Sequence, residues 1–152
     1  MRDVALDLRP SMLDDLGLEA ALRWYAERFA RQSGIAVHLA ADFLPPIDAG
    51  HATVCFRVVQ EALTNIARHA NARNVWLDAH ASSDTLQLTV RDDGVGFDVA
   101  AARRRALHGE SLGILGMEER VAHVGGTLRW TSARGSGTTV LVRIPLPRSD
   151  AA

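Results

Sequence analysis

The sequence predicts an α+β two-layer sandwich, a mixed but mostly antiparallel sheet covered on one face by three helices. Three observations carry the prediction. Separate stretches repeat apolar residues at helical spacing. Short runs with strict apolar alternation lie between and after them, so each strand has one buried face. Turn residues divide the later runs into two hairpins, Ser82-Ser83-Asp84 in the first and the glycine- and serine-rich residues 133–137 in the second.

In chain order, residues 6–18 hold apolar side chains without a sustained period, interrupted by Pro10 and Gly17. From Leu18 the pattern settles: Leu18, Leu22, Tyr25 and Phe29 share one helical face, and Gly34 is a natural stop. Ile35, Val37 and Leu39 read as a strand, and residues 43–50, with Pro45 and Pro46, as a connector. Residues 55–71, CFRVVQEALTNIARHAN, form the central helix, with Phe56, Val59, Leu63, Ile66 and Ala67 as its apolar stripe. Beside that stripe Glu61, Asn65 and His69 stack at i, i+4 and i+8.

Val75, Leu77 and Ala79 mark the next strand, and Leu86, Leu88 and Val90 its antiparallel partner. Residues 98–112 read as a long polar loop carrying Arg103, Arg104 and Arg105, and residues 117–124 as a short helix stopped by Gly125-Gly126. Leu128 and Trp130, then Val140, Val142 and Ile144, mark the last two strands. Residues 148–152 read as a frayed end.

With 152 residues, 47% apolar and 23% charged, the chain has ordinary globular composition, and one domain is expected. A net charge of −1 gives no footprint for direct nucleic-acid binding or for a membrane surface. Cys55 has no partner for an internal disulfide and suits a core position. No run approaches the ~18 apolar residues of a membrane span. A cytoplasmic location is expected.

Of the twelve glycines, only Gly17, Gly34 and Gly50 precede Gly94. Glycine admits positive φ and close backbone approach, so clusters at strand ends and helix starts suggest a bound group. Asp92-Asp93-Gly94-Val95-Gly96 directly follows a strand; a carboxylate there can accept from an exocyclic amine while the glycines let a planar ring approach, although acid-and-glycine turns are also common without a ligand. Gly113-Ile114-Leu115-Gly116-Met117 opens a helix, where free N–H groups and the dipole suit phosphate, or simply a helix entry. The alternating acids of a calcium loop, the P-loop pattern and the dinucleotide glycine fingerprint are all missing. Taken together, Glu61 and Asn65 on one helix, Asp92 as an amine acceptor and Gly113 as a phosphate-ready turn describe a Mg-ATP site.

Glu61-Ala62-Leu63-Thr64-Asn65 resembles the N box of the GHKL superfamily, residues 92–96 its G1 box, and residues 113–117 its G2 box. Gly137-Thr138-Thr139 is similar to the segment before the family's last strand. The opening LRPSMLDDLGLEAAL and the run GILGMEERV resemble sensor histidine kinases of the NarX/DesK-like subfamily.

The resemblance implies a Bergerat fold with ATP and Mg²⁺ between the central helix and a lid formed by residues 98–112. It implies Asn65 as the metal ligand and Asp92 as the reader of the adenine amine. Gly94 and Gly96 would shape the base pocket, while Gly113, Ile114, Gly116 and Met117 would form the lid hinge and phosphate border. Arg68 and His69 would be phosphate neighbours, and Thr138 and Thr139 would lie on the adenine side. Glu61 would be a catalytic acid or a positioning group. The lid arginines would face phosphate or form a solvated charge run.

The family's phosphoacceptor histidine lies on a dimerisation helix, and no histidine here has that context: the first, His38, is on a strand. Residues 1–17 are thus expected to be the tail of the dimerisation region and a linker, 18–147 the catalytic ATP-binding domain, and 148–152 a terminal extension. The parent would be a homodimeric protein-histidine kinase, itself a candidate inner-membrane sensor. Its partners would be its own dimerisation domain and a response regulator, often one with a helix-turn-helix output. A hydrolytic GHKL ATPase and a nucleotide-binding interaction module remain as alternatives.

Overall fold

A computed structural model of the chain describes residues 11–41, 44–108 and 113–147. A short helix, α1 (Ser11–Leu16), leads into α2 (Leu18–Ser33). Leu18, Ala21, Leu22, Tyr25, Ala26 and Phe29 are the buried face of α2, as its period predicts. Gly34 ends it in the left-handed region, φ 77°, and donates its N–H to the Ala30 carbonyl at 3.0 Å. Leu13 of α1 joins the same core, so the described part of residues 1–17 packs onto the domain. Residues 1–10 and 148–152 lie outside the described residues.

After β1 (Ala36–Ala41) comes the central helix α3 (Ala49–Asn65). It starts at Ala49 rather than near Cys55, because the carboxylate of Asp48 caps it, accepting from the His51 N–H at 3.3 Å. Residues expected in the connector thus form the first turn, where a glycine at position 50 has little helix to weaken.

The far end departs further from expectation. Residues Ile66–Ala70 form a π-helical turn closed by Asn71 at φ 50°. A wider turn advances each residue by less than the α-helical angle, so the stripe drifts off register. Phe56, Val59, Leu63 and Ile66 are buried as expected, but Ala67 is exposed and Ala70 takes its place in the core.

Strands β2 (Asn74–Ala81) and β3 (Thr85–Asp92) form the expected hairpin, closed by Ser82 N–H to the Thr85 carbonyl at 2.8 Å. Residues 98–112 are not a continuous polar loop. Asp98 accepts from the Ala101 N–H at 3.0 Å and starts helix α4 (Val99–Leu107), whose Ala102 is fully buried. The sequence showed only charge there because one small buried residue suffices to seat so short a helix. Residues 109–112 lie outside the description. Helix α5 (Ile114–His123), capped by the left-handed Gly113, begins at Ile114, three residues ahead of the predicted Met117, since Ile114 already packs inward. Strands β4 (Thr127–Ser132) and β5 (Thr138–Pro145) complete the fold.

The sheet order is β1-β2-β3-β5-β4, with β1 and β2 parallel and all other pairs antiparallel. Val75, Leu77 and Ala79 of β2, Leu86, Leu88 and Val90 of β3, and Val140, Val142 and Ile144 of β5 face the helices. There they meet Leu22, Tyr25, Phe56 and Leu63, with Tyr25 and Phe56 edge to face at 5.5 Å. On the open face Trp76 is stacked on His38 at 5.5 Å and carries the Arg91 guanidinium 4.0 Å from its ring centre. Helices α2, α3 and α5 supply the predicted cover, and α1 and α4 flank it. None of the described helices is long and apolar enough to cross a membrane.

Candidate functional site

A cavity of about 190 Å³ opens between the C-terminal end of α3, the ends of β3, β5 and β4, and the start of α5. Ala62, Ile66, Ala70, Val90 and Val140 give it apolar walls, joined by Ile114 from α5. Asn65, His69, Asp92, Arg105 and Thr138 are its polar lining. The space lies below the ~300–1,000 Å³ of pockets for whole drug-sized ligands, so it suits one flat ring system rather than a complete nucleotide.

Asp92 is the most unusual of these residues. It is 3% exposed at the end of β3, and its Oδ1 accepts the Gly94 N–H at 2.8 Å. Burial pushes its pKa up, the Gly94 hydrogen bond opposes this, and neighbouring Asp93 raises it further. Strand alternation turns Asp93 the other way. There it accepts from the Arg73 N–H at 2.9 Å, the Asn74 N–H at 2.9 Å and the Asn74 amide at 3.0 Å, which lower its pKa to about 2. One aspartate thus pins the loop and the other faces the cavity.

Residues 94–97 run between the π turn and the 133–137 turn. Val95 donates to the Ala70 carbonyl at 2.7 Å. Gly94 does not line the cavity; any Cβ there would collide with the carbonyl of Ala70, so the glycine serves backbone packing. Gly96 and Phe97 do line it.

The remaining expected site residues fall into two groups. Asn65, His69, Asp92, Gly96, Ile114 and Thr138 converge on the cavity. Arg68 is exposed on the π turn, and Gly116 is exposed in the first turn of α5. Met117 is fully buried in the core. Thr139 pairs with Arg91 and Thr131 on the open face of the sheet, away from Thr138 by strand alternation. Glu61 does not line the cavity either. Its carboxyl lies against Gly113, where an added Cβ would come within 2.7 Å of Glu61 Cδ.

The three adjacent arginines of α4 separate. Arg103 makes two hydrogen bonds to Glu118, Arg104 is exposed, and Arg105 lines the cavity. Cys55 is a core residue, fully buried, with burial pushing its thiol up to about 12.

Sequence reasoning missed two aromatic walls. Phe97 and Trp130 meet edge to face at 6.1 Å and both line the cavity. The Trp130 indole N–H is buried and has no hydrogen-bond partner among the described residues. Phe97 could have been found from its place beside Gly96. Trp130 could not, because strand order alone brings it there.

A buried acceptor, an unpartnered indole donor and apolar walls fit a heteroaromatic base with both donor and acceptor edges. The described residues contain no group of three His, Cys, Asp or Glu side chains that could hold a metal ion. That donor set suits a magnesium ion carried by phosphates and touched by one amide oxygen, as Asn65 offers, rather than a metal caged by protein.

Comparison with known proteins bears on the family and the fold. Residues 50–148 match the family described as histidine kinase-, DNA gyrase B- and HSP90-like ATPase. The chain is 37% identical over 147 residues to the sensor histidine kinase MctS of Rhizobium johnstonii, covering 95% of this chain and 31% of that protein. It is also 37% identical over 147 residues to the oxygen sensor histidine kinase NreB of Staphylococcus carnosus, covering 96% of this chain and 41% of that one. It therefore spans well under half the length of these relatives. Among solved structures, the histidine kinase domain of the blue-light activated histidine kinase EL346 of Erythrobacter litoralis superposes with a TM-score of 0.72 at 29% identity, over 85% of this chain and 61% of that one. With its two-layer architecture and its buried acid facing a base-sized cavity, the chain belongs to the family of histidine kinase-, DNA gyrase B- and HSP90-like ATPases.

Proposed function

We propose that the chain is the catalytic, ATP-binding domain of a sensor histidine kinase, and that it presents Mg-ATP to a histidine on a dimerisation helix outside these residues. The phosphoryl group would then pass to an aspartate of a response regulator. The observation that carries the reading is Asp92: an acid 3% exposed, at the end of an apolar cavity that also holds Asn65. A buried carboxylate is costly without a partner, and an exocyclic amine is a partner of the right polarity.

In this reading the base enters between Ile66 and the Phe97–Trp130 pair, with its amine toward Asp92. Asn65 offers its amide oxygen to the metal, and bound magnesium neutralises phosphate charge. His69 and Arg105, which line the cavity, and Arg68, which does not, would stand near the phosphates. Gly113, with Ile114, Gly116 and Met117 after it, forms the hinge and first turn at the lid's far end. Glu61, packed on Gly113, positions that hinge. Phosphoryl transfer needs mainly alignment and charge neutralisation, which Asn65 on α3 and Arg105 on α4 would supply.

Calorimetry with Mg-ATP tests the assignment. The wild-type chain is expected to bind, Asp92→Ala to lose about 5- to 100-fold in affinity, and Asn65→Ala to lose its dependence on magnesium. Wild-type affinity in both variants would remove the site from consideration. Transfer is tested by supplying a relative's dimerisation helices in trans and following phosphohistidine.

A further inference from the structure

Asp92 of β3 stands directly opposite Thr138 of β5, and Thr138 directly opposite Ser132 of β4, so the three form one row on the covered face. Ser132 has no part in the reading above, yet its hydroxyl makes three hydrogen-bond contacts at this end of the sheet. The Phe97 N–H donates to its Oγ at 2.9 Å. The same Oγ lies 2.9 Å from the Gly137 carbonyl oxygen and 2.8 Å from Oγ1 of Thr138.

A hydroxyl has one proton and two lone pairs, so these three contacts use its whole capacity. A carbonyl can only accept. The Ser132 proton therefore goes to Gly137, a buried residue whose oxygen would otherwise forfeit this bond. One lone pair takes the Phe97 N–H. The other faces Thr138, whose hydroxyl must then be the donor in that pair.

Thr138 lines the cavity, and with its proton committed to Ser132 it offers the cavity lone pairs only. Asp92 beside it, when ionised, likewise only accepts. We propose that Ser132 is a positioning residue that locks Thr138 as an acceptor, so that the Asp92–Thr138 corner selects a purine bearing a 6-amino group and rejects one bearing a 6-carbonyl. The inference rests on the cavity being a nucleotide base site, and it adds the element that sets base specificity.

The experiment compares ATP with inosine triphosphate, which has a carbonyl and a ring N–H where ATP has an amine and a bare ring nitrogen. Dissociation constants for both are measured on the full 152-residue chain. Wild type is expected to prefer ATP by roughly 10- to 100-fold, the range for one unpaired buried group. Ser132→Ala frees the Thr138 proton to turn toward a carbonyl, and the preference is expected to fall by about tenfold. Loosening of the Phe97 and Gly137 loops in that variant weakens both nucleotides together, so the ratio isolates the orienting role.

Ser132→Thr keeps the hydroxyl and should keep the wild-type ratio. In a Thr138→Val background, Ser132→Ala should leave the ratio unchanged. Should Ser132→Ala fail to fold, Ser132→Cys fills the site with a weaker donor and acceptor and should give an intermediate ratio. An unaltered ATP preference in the single variant Ser132→Ala, or in Ser132→Cys where it replaces it, overturns the proposal, as does a wild type that binds both nucleotides equally, which would leave the nucleotide site itself standing. A wild type that binds neither overturns the nucleotide reading as well.

Discussion

Arg103 on α4 grips Glu118 on α5 with both ends of its guanidinium, Nη1 to Oε1 at 2.7 Å and Nη2 to Oε2 at 2.6 Å. This fork joins the two helices that flank residues 109–112. The pair is partly exposed, with side chains 42% and 25% accessible, so solvent screens it and its share of stability is small, about 0–1 kcal/mol. Its effect should be local. Arg103→Met is expected to speed amide exchange across α4 while the midpoint of global unfolding hardly moves, and added salt should narrow the difference from wild type. Equal exchange in both proteins would show that the fork does not hold α4.

Arg105 should discriminate by phosphate rather than by base. It lines the cavity from α4 and is exposed on its other side. Arg105→Ala is expected to weaken ATP by about 5- to 20-fold and to leave adenosine unchanged, since a guanidinium gains most from a charged oxygen. A titration series of adenosine, ADP and ATP reads this directly.

Gly113 is held in a left-handed conformation, φ 77°, with Glu61 filling the space its side chain would need. Gly113→Ala meets two separate penalties, backbone strain and collision. It is expected to lower stability by about 1–3 kcal/mol in urea unfolding. Adding Glu61→Ala should restore the collision part and leave the strain. If the double variant is no more stable than Gly113→Ala, Glu61 is not the obstacle.

The two aspartates should give opposite pH signatures. Burial raises the folded-state pKa of Asp92, so the folded chain takes up this proton more readily than the unfolded chain. As pH falls through that raised value, Asp92 protonates, loses the charge that strengthens its bond to an amine and turns one oxygen into a donor, and nucleotide affinity should decline at a higher pH than an exposed aspartate would produce. The same proton favours the fold over the unfolded chain. Asp93, lowered to about 2 by its hydrogen bonds, stabilises the fold above the ordinary aspartate range and loses that contribution as pH falls toward 2. Affinity and stability measured between pH 3 and 7 should therefore separate, affinity failing first. In Asp93→Asn the acid-sensitive part of stability should shrink.

Much of this was legible in the residues themselves. The period of α2 named its buried face down to Phe29, and the alternation in β2 and β3 named theirs, because side-chain direction within one element follows local geometry. Asn65, Asp92 and Gly96, which the sequence singled out for their amide, acid and glycine chemistry, do line the cavity. The position of Gly94 was legible too, though the reason was not: its space is taken by Ala70, more than twenty residues away in sequence.

What the sequence determined alone was therefore set within a turn or a strand: the type and inward face of most elements, the stop at Gly34, and a glycine-marked cavity edge, whereas the helix that Asp98 caps was read as a loop. What the tertiary structure decided was everything that depends on which strand lies beside which. Placing β5 between β3 and β4 sets Thr138 rather than Thr139 beside Asp92, brings Trp130 to the cavity wall, and gives Ser132 its three partners. The π turn moved Ala67 out and Ala70 in, and the packing of α4 on α5 divided three adjacent arginines among different surroundings. These outcomes rest on register and packing between distant segments, where a shift of one residue reverses the face a side chain presents, and no local pattern records that shift.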